Sequence, residues 1–226
     1  MTADPVATLD AAAREKLQIV LDLLAQERAS VSSVVDERAW RVHVADSLTG
    51  LEVRDLRQAE AVADIGAGAG FPGLVLAVEL PKARVDLIES VGRKCEFMRR
   101  AAAAAGIPNV TVLNTRSEDL AAAAGREAYD AVTARAVGRL STLAELASPL
   151  LKPNGVLVAW KGRRDEDEER QLENAAESLA MAPEQILDVG SRAGSEHRHL
   201  HVIRKTGPTP DNLPRKPGIA KKRPKG

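Results

Sequence analysis

Between residues 62 and 74 the chain reads VADIGAGAGFPGL, an apolar run that passes directly into glycines at 66, 68, 70 and 73. A backbone that bare can turn tightly, and a ligand can approach its main-chain atoms without meeting a Cβ. In a doubly wound sheet, ligands lie beyond the carboxyl ends of the strands where the strand order reverses, commonly against the first strand-to-helix turn. Pro72 suits the opening of the next helix, where its missing N–H costs nothing, and the free amides there favour a carboxylate or phosphate. The loop therefore predicts a nucleotide-like ligand.

The rest of the chain supplies the sheet that such a loop needs. Short apolar runs recur at 61–65 (AVADI), 84–88 (RVDLI), 110–113 (VTVL), 129–134 (YDAVTA) and 155–160 (GVLVAW), with helical stretches at 72–79, 92–105, 138–147 and 165–179 between them. Strand and helix alternating at this spacing imply right-handed crossovers and a parallel sheet covered on both faces. HRHLHVIR (197–204) is expected to add an antiparallel edge strand. Ahead of the sheet, Leu17, Val20, Leu21 and Leu24 mark one face of an amphipathic helix over 9–26, and a second helix is expected over 36–45 with Asp36 as its cap. The fold class is thus α/β, a Rossmann-like doubly wound sheet, mostly parallel with an antiparallel edge strand, preceded by helices. Its expected division is a helical extension at 1–56, the sheet domain at 57–204 and a tail at 205–226.

Charge and cysteine content bear on setting and partners. The chain carries 32 Lys and Arg against 32 Asp and Glu, yet eight of the cations fall in residues 204–226 against Asp211 alone. That segment also holds five of the twelve prolines, which predicts a disordered basic arm of the kind that engages polyanions, beside a more acidic body. A single cysteine, Cys95, cannot form an internal disulfide and favours a reducing compartment. The opening MTADPVATLD has no apolar run, and Asp64, Glu79 and the glycines interrupt the most apolar stretch. A cytoplasmic protein with neither leader nor membrane span is expected, a monomer for preference.

Two ligand classes compete for the loop. A dinucleotide fingerprint GxGxxG fits only through Gly68, Gly70 and Gly73, which begins late for a strand ending at Ile65. Read from the strand end, the pattern is Asp64-x-Gly66-x-Gly68-x-Gly70, a carboxylate followed by glycines. That arrangement suits S-adenosylmethionine, whose amino group wants an anion and which has no pyrophosphate. Glu89 closes the second strand, where an acid can hold ribose hydroxyls in either class. Ser117 and Glu118 follow the third strand and suit either an adenine edge or the cap of a helix.

These segments, with DIGAGAGFPGLVLA (64–77), LIESVGRKCEF (87–97), ARAVG (134–138), LKPNGVLVAWKG (151–162) and HVADSL (43–48), resemble the ribosomal small-subunit RNA methyltransferase G family over about residues 15–204. The resemblance implies a class I methyltransferase fold and transfer of a methyl group to N7 of one guanine in 16S rRNA of the small ribosomal subunit. It implies donor contacts at Gly66, Phe71, Ser117, Glu118 and Arg135, and a ribose contact at Glu89. The basic tail lies outside it.

Acceptor chemistry gives an independent line of argument. Exocyclic amine methylation commonly uses an (Asp/Asn)-Pro-Pro-aromatic motif after the fourth strand, where this chain reads TARAVG, and C5 methylation of a pyrimidine needs a cysteine nucleophile. Cys95, on the helix after the second strand, reads as a small buried apolar residue. Guanine N7 has a free lone pair, so alignment suffices and no general base is required. Arg93, Arg116, Arg135 and Lys161 each follow a strand end and are expected to form a rim, with Arg135, Arg116 and Lys161 positioning the reactants. Phosphates of a docking RNA explain such a rim, with Lys94, Arg139, Arg163 and Arg164 extending it. Five aromatic residues in the chain are too few for a stacking platform, so recognition is expected to depend on folded RNA shape.

His197, His199 and His201 alternate along one strand face and are expected to point to solvent rather than hold a metal. DEDEE (165–169) complements a helix dipole, and His43 with Asp46 reads as a structural pair joining the N-terminal helices to the sheet. An NAD-dependent oxidoreductase and a non-catalytic RNA-binding protein with a relict cofactor fold are the alternatives. The first lacks a Tyr-x-x-x-Lys pair, since Tyr129 is followed at that spacing by Thr133.

Overall fold

The structure is a computed structural model that describes residues 5–27, 34, 38–192 and 197–226. Helix α1 (Ala11–Gln26) starts where Asp10 accepts a hydrogen bond from Ala13 N at 2.7 Å, and its stripe of Leu17, Val20, Leu21 and Leu24 is buried. Asp36, the expected cap of the next helix, lies outside the described residues. A π-helix over Trp40–Ala45 runs into α2 (Asp46–Leu48), a 3₁₀ turn (Thr49–Glu52) and α3 (Arg54–Arg57). Trp160 pins this stretch to the sheet: its indole N–H donates to Asp46 O at 2.8 Å and to Thr49 Oγ1 at 3.2 Å. Its ring lies so close over Gly50 that a Cβ there would sit 2.5 Å from Cζ2.

The alternating part follows as β1 (Ala61–Ile65), α4 (Gly73–Glu79), β2 (Arg84–Glu89), α5 (Gly92–Ala104), β3 (Val110–Asn114), α6 (Ser117–Ala121), β4 (Tyr129–Arg135), α7 (Leu140–Ala147) and β5 (Leu151–Lys161). Helix α8 (Glu166–Ala176), strands β6 (Met181–Asp188) and β7 (His199–Lys205), and helix α9 (Ile219–Lys222) complete it. The sheet order is β3-β2-β1-β4-β5-β7-β6, parallel from β3 through β5 and antiparallel at β7 and β6. The order reverses between β1 and β4, which puts the glycine loop at the switch point. One core covers one sheet face, with Leu17, Leu24, Leu74, Phe97 and Met98; the other covers the opposite face, with Leu140, Leu143, Leu172 and Leu179. Asp165 caps α8 by accepting from Asp167 N and Glu168 N, which accounts for the acidic run at its start. Among the described residues no helix is long and apolar enough to cross a membrane.

Three expectations are corrected. The segment 197–204 is not the edge strand, because β7 lies between β5 and β6, and the edge is β6. Strand β6 is mostly exposed and has a register shift between Pro183 and Gln185, so it shows no alternation of apolar and polar residues. An interior β7 is covered on both faces, which is why His201 is 4% exposed instead of facing solvent. His199 is half-buried, with Nδ1 2.9 Å from Gly162 O, and His197 is exposed. Burial pushes the His201 pKa down to about 4 despite Glu169 4.0 Å away. Between that value and an unfolded value near 6.5 the unfolded chain binds more protons, so stability present above pH 6.5 is lost as pH falls towards 4, by on the order of 3 kcal/mol. Urea denaturation at a series of pH values is expected to show this slope and to show it flattened in His201→Phe; equal slopes in the two proteins would contradict the assignment.

The third correction concerns the tail, which is packed rather than disordered. Lys205 is fully buried, its Nζ donating to Ser148 O and, at 2.8 Å, to Thr209 Oγ1, and burial lowers its pKa to about 8. Leu213 and Ala220 are buried, Arg126 donates to Leu213 O at 3.0 Å, and Arg215 pairs with the buried Glu145. Two of its cations, Lys205 and Arg215, meet acids of the body, Glu127 and Glu145, and Leu213 and Ala220 supply apolar contacts that bulk composition hides.

Candidate active site

The loop after β1 is held by hydrogen bonds to two acids, Glu89 and Asp64, and to the backbone of β2. Gly66 takes φ +64°, in the left-handed region, with Gly66 N donating to Ile88 O at 2.8 Å, so the turn is fastened to β2. A Cβ on Gly66 would lie 2.7 Å from Val137 Cγ2. Glu89, 7% exposed, accepts from Gly68 N at 3.1 Å and from Val91 N at 2.9 Å, so the end of β2 is tied to the middle of the loop. Asp64 accepts from Gly73 N at 3.0 Å and from Thr133 Oγ1 at 2.9 Å. Burial pushes its pKa up to about 7, partly offset by those two hydrogen bonds. The expectation that Asp64 faces the amino group of a ligand is corrected: the carboxyl is fully buried beneath the loop, where it braces the start of α4.

A cavity of about 370 Å³ opens beyond the carboxyl ends of β1, β2 and β3. Gly66, Glu89, Ser90, Arg116, Ser117 and Glu118 line it, with Val137 and Thr142 on the side of β4 and α7. Ser117 and Glu118 are buried; Ser117 Oγ donates to Glu118 Oε2 at 3.1 Å, and the residue at the α6 cap is Arg116. The sequence thus places Gly66, Glu89, Ser117 and Glu118 together. Gly68 and Gly70 shape the loop at φ +61° and +89° without lining this cavity.

Phe71 and Arg135 form a second cluster around the other end of the loop. The Phe71 ring stacks on His43 with centroids 4.5 Å apart, and the Arg135 guanidinium lies 5.8 Å from the Phe71 centroid. Arg135 donates to Asp46 Oδ2 and Val42 O, both at 2.9 Å, and lies 3.3 Å from His43 Nδ1. Since His43 Nε2 is 2.9 Å from Val34 O, an acceptor, Nε2 carries the proton and Nδ1 accepts from Arg135. Burial, with Arg135 nearby, holds the ring neutral by lowering its pKa. Arg198 Nε approaches Asp46 Oδ1 to 2.8 Å, an ion-pair distance, although neither atom has an aligned hydrogen bond. His43 and Asp46 do join the N-terminal helices to the sheet, through the guanidinium of Arg135 between them.

The expected rim of cations is only partly present. Arg93, Arg116 and Arg139 are exposed and Lys94 half-buried. Arg135 points inward to Asp46, its side chain 13% exposed. Lys161 donates to Glu168 Oε1 at 2.6 Å and Gly138 O at 3.0 Å, and Glu168 also accepts from Leu140 N, so that lysine holds α7 and α8 together instead of facing a ligand. Arg164 pairs with Glu169, and Arg163 lies 3.1 Å from His197. Glu168 and Glu169 of α8, seven and five residues further along, take Lys161 and Arg164, which counting charges at strand ends does not show. Arg198 and Thr142 had no motif to mark them, Val137 lies in the ARAVG segment with nothing there to single it out, and Gly218, Ala220, Lys221 and Lys222, which also line the cavity, sit in the segment expected to be disordered. Among the described residues no group of three His, Cys, Asp or Glu could hold a metal.

The family described as rRNA small subunit methyltransferase G matches residues 14–200. A relative from Rubrobacter xylanophilus called ribosomal RNA small subunit methyltransferase G is 42% identical over 222 residues, covering 94% of this chain and 85% of its own. The protein of that name from Bacillus subtilis is 34% identical over 214 residues, covering 93% and 90%. Among solved structures, an S-adenosylmethionine-dependent methyltransferase from Aquifex aeolicus superposes with TM-score 0.55 at 17% identity, covering 76% of this chain and 94% of that one. The Methanococcus jannaschii fibrillarin pre-rRNA processing protein superposes with TM-score 0.56 at 16% identity, covering 72% and 74%; both likenesses concern the fold.

Proposed function

The chain belongs to the rRNA small subunit methyltransferase G family, and from that premise we propose that it transfers a methyl group from S-adenosylmethionine to N7 of one guanine in 16S rRNA of the small ribosomal subunit. The observation that carries the reading is the acceptor-rich cavity at the ends of β1 to β3, where Glu89, Ser117 and Glu118 gather beside the bare Gly66. Ribose hydroxyls and an adenine amine are donors, and this set of residues fits them. A dinucleotide fits poorly, because Asp64 already occupies Gly73 N at the start of α4, where a pyrophosphate would need that amide.

When bound, the donor supplies an electrophilic methyl on a sulfonium. The chain's own part is positioning. Gly66 permits close approach to the backbone, Glu89 is held ready by Gly68 N and Val91 N, and Glu118 is oriented by Ser117 Oγ. N7 carries no proton, so no base is needed, and the groups around Arg135 agree with that: the guanidinium stays charged, and His43 spends both ring nitrogens on Val34 O and Arg135. Arg135, fixed by Asp46 and Val42 O above Phe71, offers a rigid cation beside the loop. The exposed Arg93, Arg116, Arg139, Arg163 and Arg164, with the half-buried Lys94, are the surface proposed to meet RNA phosphates, of which Arg164 is the weakest member because Glu169 already pairs with it.

The test is incubation of intact small subunits and of naked 16S rRNA with isotopically labelled S-adenosylmethionine, followed by chemical strand scission at 7-methylguanine. Label is expected at a single guanine of at least one substrate. Label on an exocyclic amine or a pyrimidine would overturn the N7 assignment, and label in neither substrate would overturn the enzyme.

A further inference from the structure

The family match ends at residue 200, yet the cavity does not. Gly218, Ala220, Lys221 and Lys222 form one of its walls, facing Gly66, Glu89 and Glu118 across the opening. The contact is specific: Gly218 N donates to Glu118 Oε1 at 2.8 Å, while Ser117 Oγ holds Oε2. Both oxygens of the acid best placed to read a ligand are therefore oriented, one by its sequence neighbour and one from a hundred residues away. Gly218 has φ +81°, in the left-handed region that favours glycine.

The segment reaches that position through a series of anchors on the body. Lys205 and Thr209 are buried at its root, and Thr209 N donates to Glu127 Oε1 at 2.7 Å. Arg215 makes a two-point pair with the buried Glu145 of α7 and donates to Arg223 O at 2.7 Å, which draws the two ends of the last turn together. Ala220 is 2% exposed, with Thr142 Oγ1 3.4 Å from its carbonyl oxygen. A bidentate arginine–carboxylate pair of this kind fixes orientation as well as position. Such anchoring is more than a solubilising tail needs.

We propose that the C-terminal segment is a working wall of the donor site, and that Gly218 positions Glu118 to accept hydrogen bonds from the nucleoside of the donor. The proposal rests on the assignment of this cavity to S-adenosylmethionine. It makes the last ten residues part of the binding machinery and independent of any contact they make with RNA.

Calorimetric titration with S-adenosylmethionine alone, in the absence of RNA, tests it on five proteins: the full chain, a chain ending at Lys216, full-length Gly218→Pro, and Glu118→Ala with and without Gly218→Pro. Ending at Lys216 keeps Lys205, Thr209, Leu213 and Arg215 in the chain, and Gly218→Pro keeps every other residue of the wall but removes the donor N–H and, because proline cannot take φ +81°, shifts the turn into α9. Both changes are expected to weaken donor binding at least tenfold. In the Glu118→Ala background, Gly218→Pro is expected to change affinity by less than twofold, the signature of action through Glu118 and not through general loosening. If the full chain binds no donor, the reading of the cavity fails. If the full chain binds and either altered wall binds equally well or more tightly, the wall is at best a cover over the site, and the inference fails while that reading stands.

Discussion

Replacing Asp46 with alanine is expected to destabilise the protein by about 3–5 kcal/mol and to abolish methyl transfer. Asp46 is 1% exposed and lies between two guanidiniums, Arg135 at 2.9 Å and Arg198 at 2.8 Å. Removing it leaves two cations close together with their shared counter-charge gone, and it is the unpaired buried charge that makes such changes costly. The same carboxylate holds Arg135 above Phe71, so the loop loses its cationic neighbour when the guanidinium moves. Asp46→Asn keeps an oxygen for Arg135 and removes only the charge, so a smaller loss, about 1–3 kcal/mol, is expected. Urea denaturation of the three proteins checks the series. An alanine variant within 1 kcal/mol of the native protein would show that the cluster is not the brace described here.

Gly66→Val is expected to reduce donor affinity about 100-fold, equivalent to about 2.7 kcal/mol, with a stability loss of about 1–3 kcal/mol. Two effects combine at this position. The backbone is at φ +64°, which a β-branched residue resists, and the new Cβ would lie 2.7 Å from Val137 Cγ2 on the cavity wall. Gly106 separates them, since it has a similar φ of +59° but nothing within 4 Å of a new Cβ. Gly106→Val should therefore show the conformational cost without the loss of binding. Titration of both variants with S-adenosylmethionine decides the matter: equal affinity in the two would mean that Gly66 serves the turn alone and that no ligand lies against it.

The contrast between these positions bears on what could be read from residues alone. The parallel strands were legible because each is a short apolar run bounded by turn residues, and their alternation with helices leaves little choice of topology. The glycine loop, Glu89 and the Ser117-Glu118 pair were legible because successive strand ends come together at one edge of such a sheet, whatever the detailed packing. Side-chain direction was not. Asp64 carries the right charge at the right place in the chain, but the pleat and the start of α4 turn it under the loop. Lys161 follows a strand end as expected, and is then taken by Glu168 on the next helix.

Long-range partners were the other source of error. Whether β7 is an edge depends on β6, and β6 has no alternation because consecutive residues along it are exposed and its register is interrupted after Pro183. The fate of the basic tail depends on Glu127 and Glu145, 82 and 70 residues upstream of Thr209 and Arg215. Local composition reports the repulsion among the tail's cations and says nothing of the acids waiting for them. Arg198 is the same case: only the folded sheet brings it to Asp46.

The account turns on the identity of the ligand at the switch point, and isothermal titration of the purified full chain with S-adenosylmethionine and, separately, with NADH measures it most directly. One equivalent of S-adenosylmethionine is predicted to bind with saturable heat while NADH gives none. Uptake of NADH by a protein that ignores S-adenosylmethionine would contradict the account at its root.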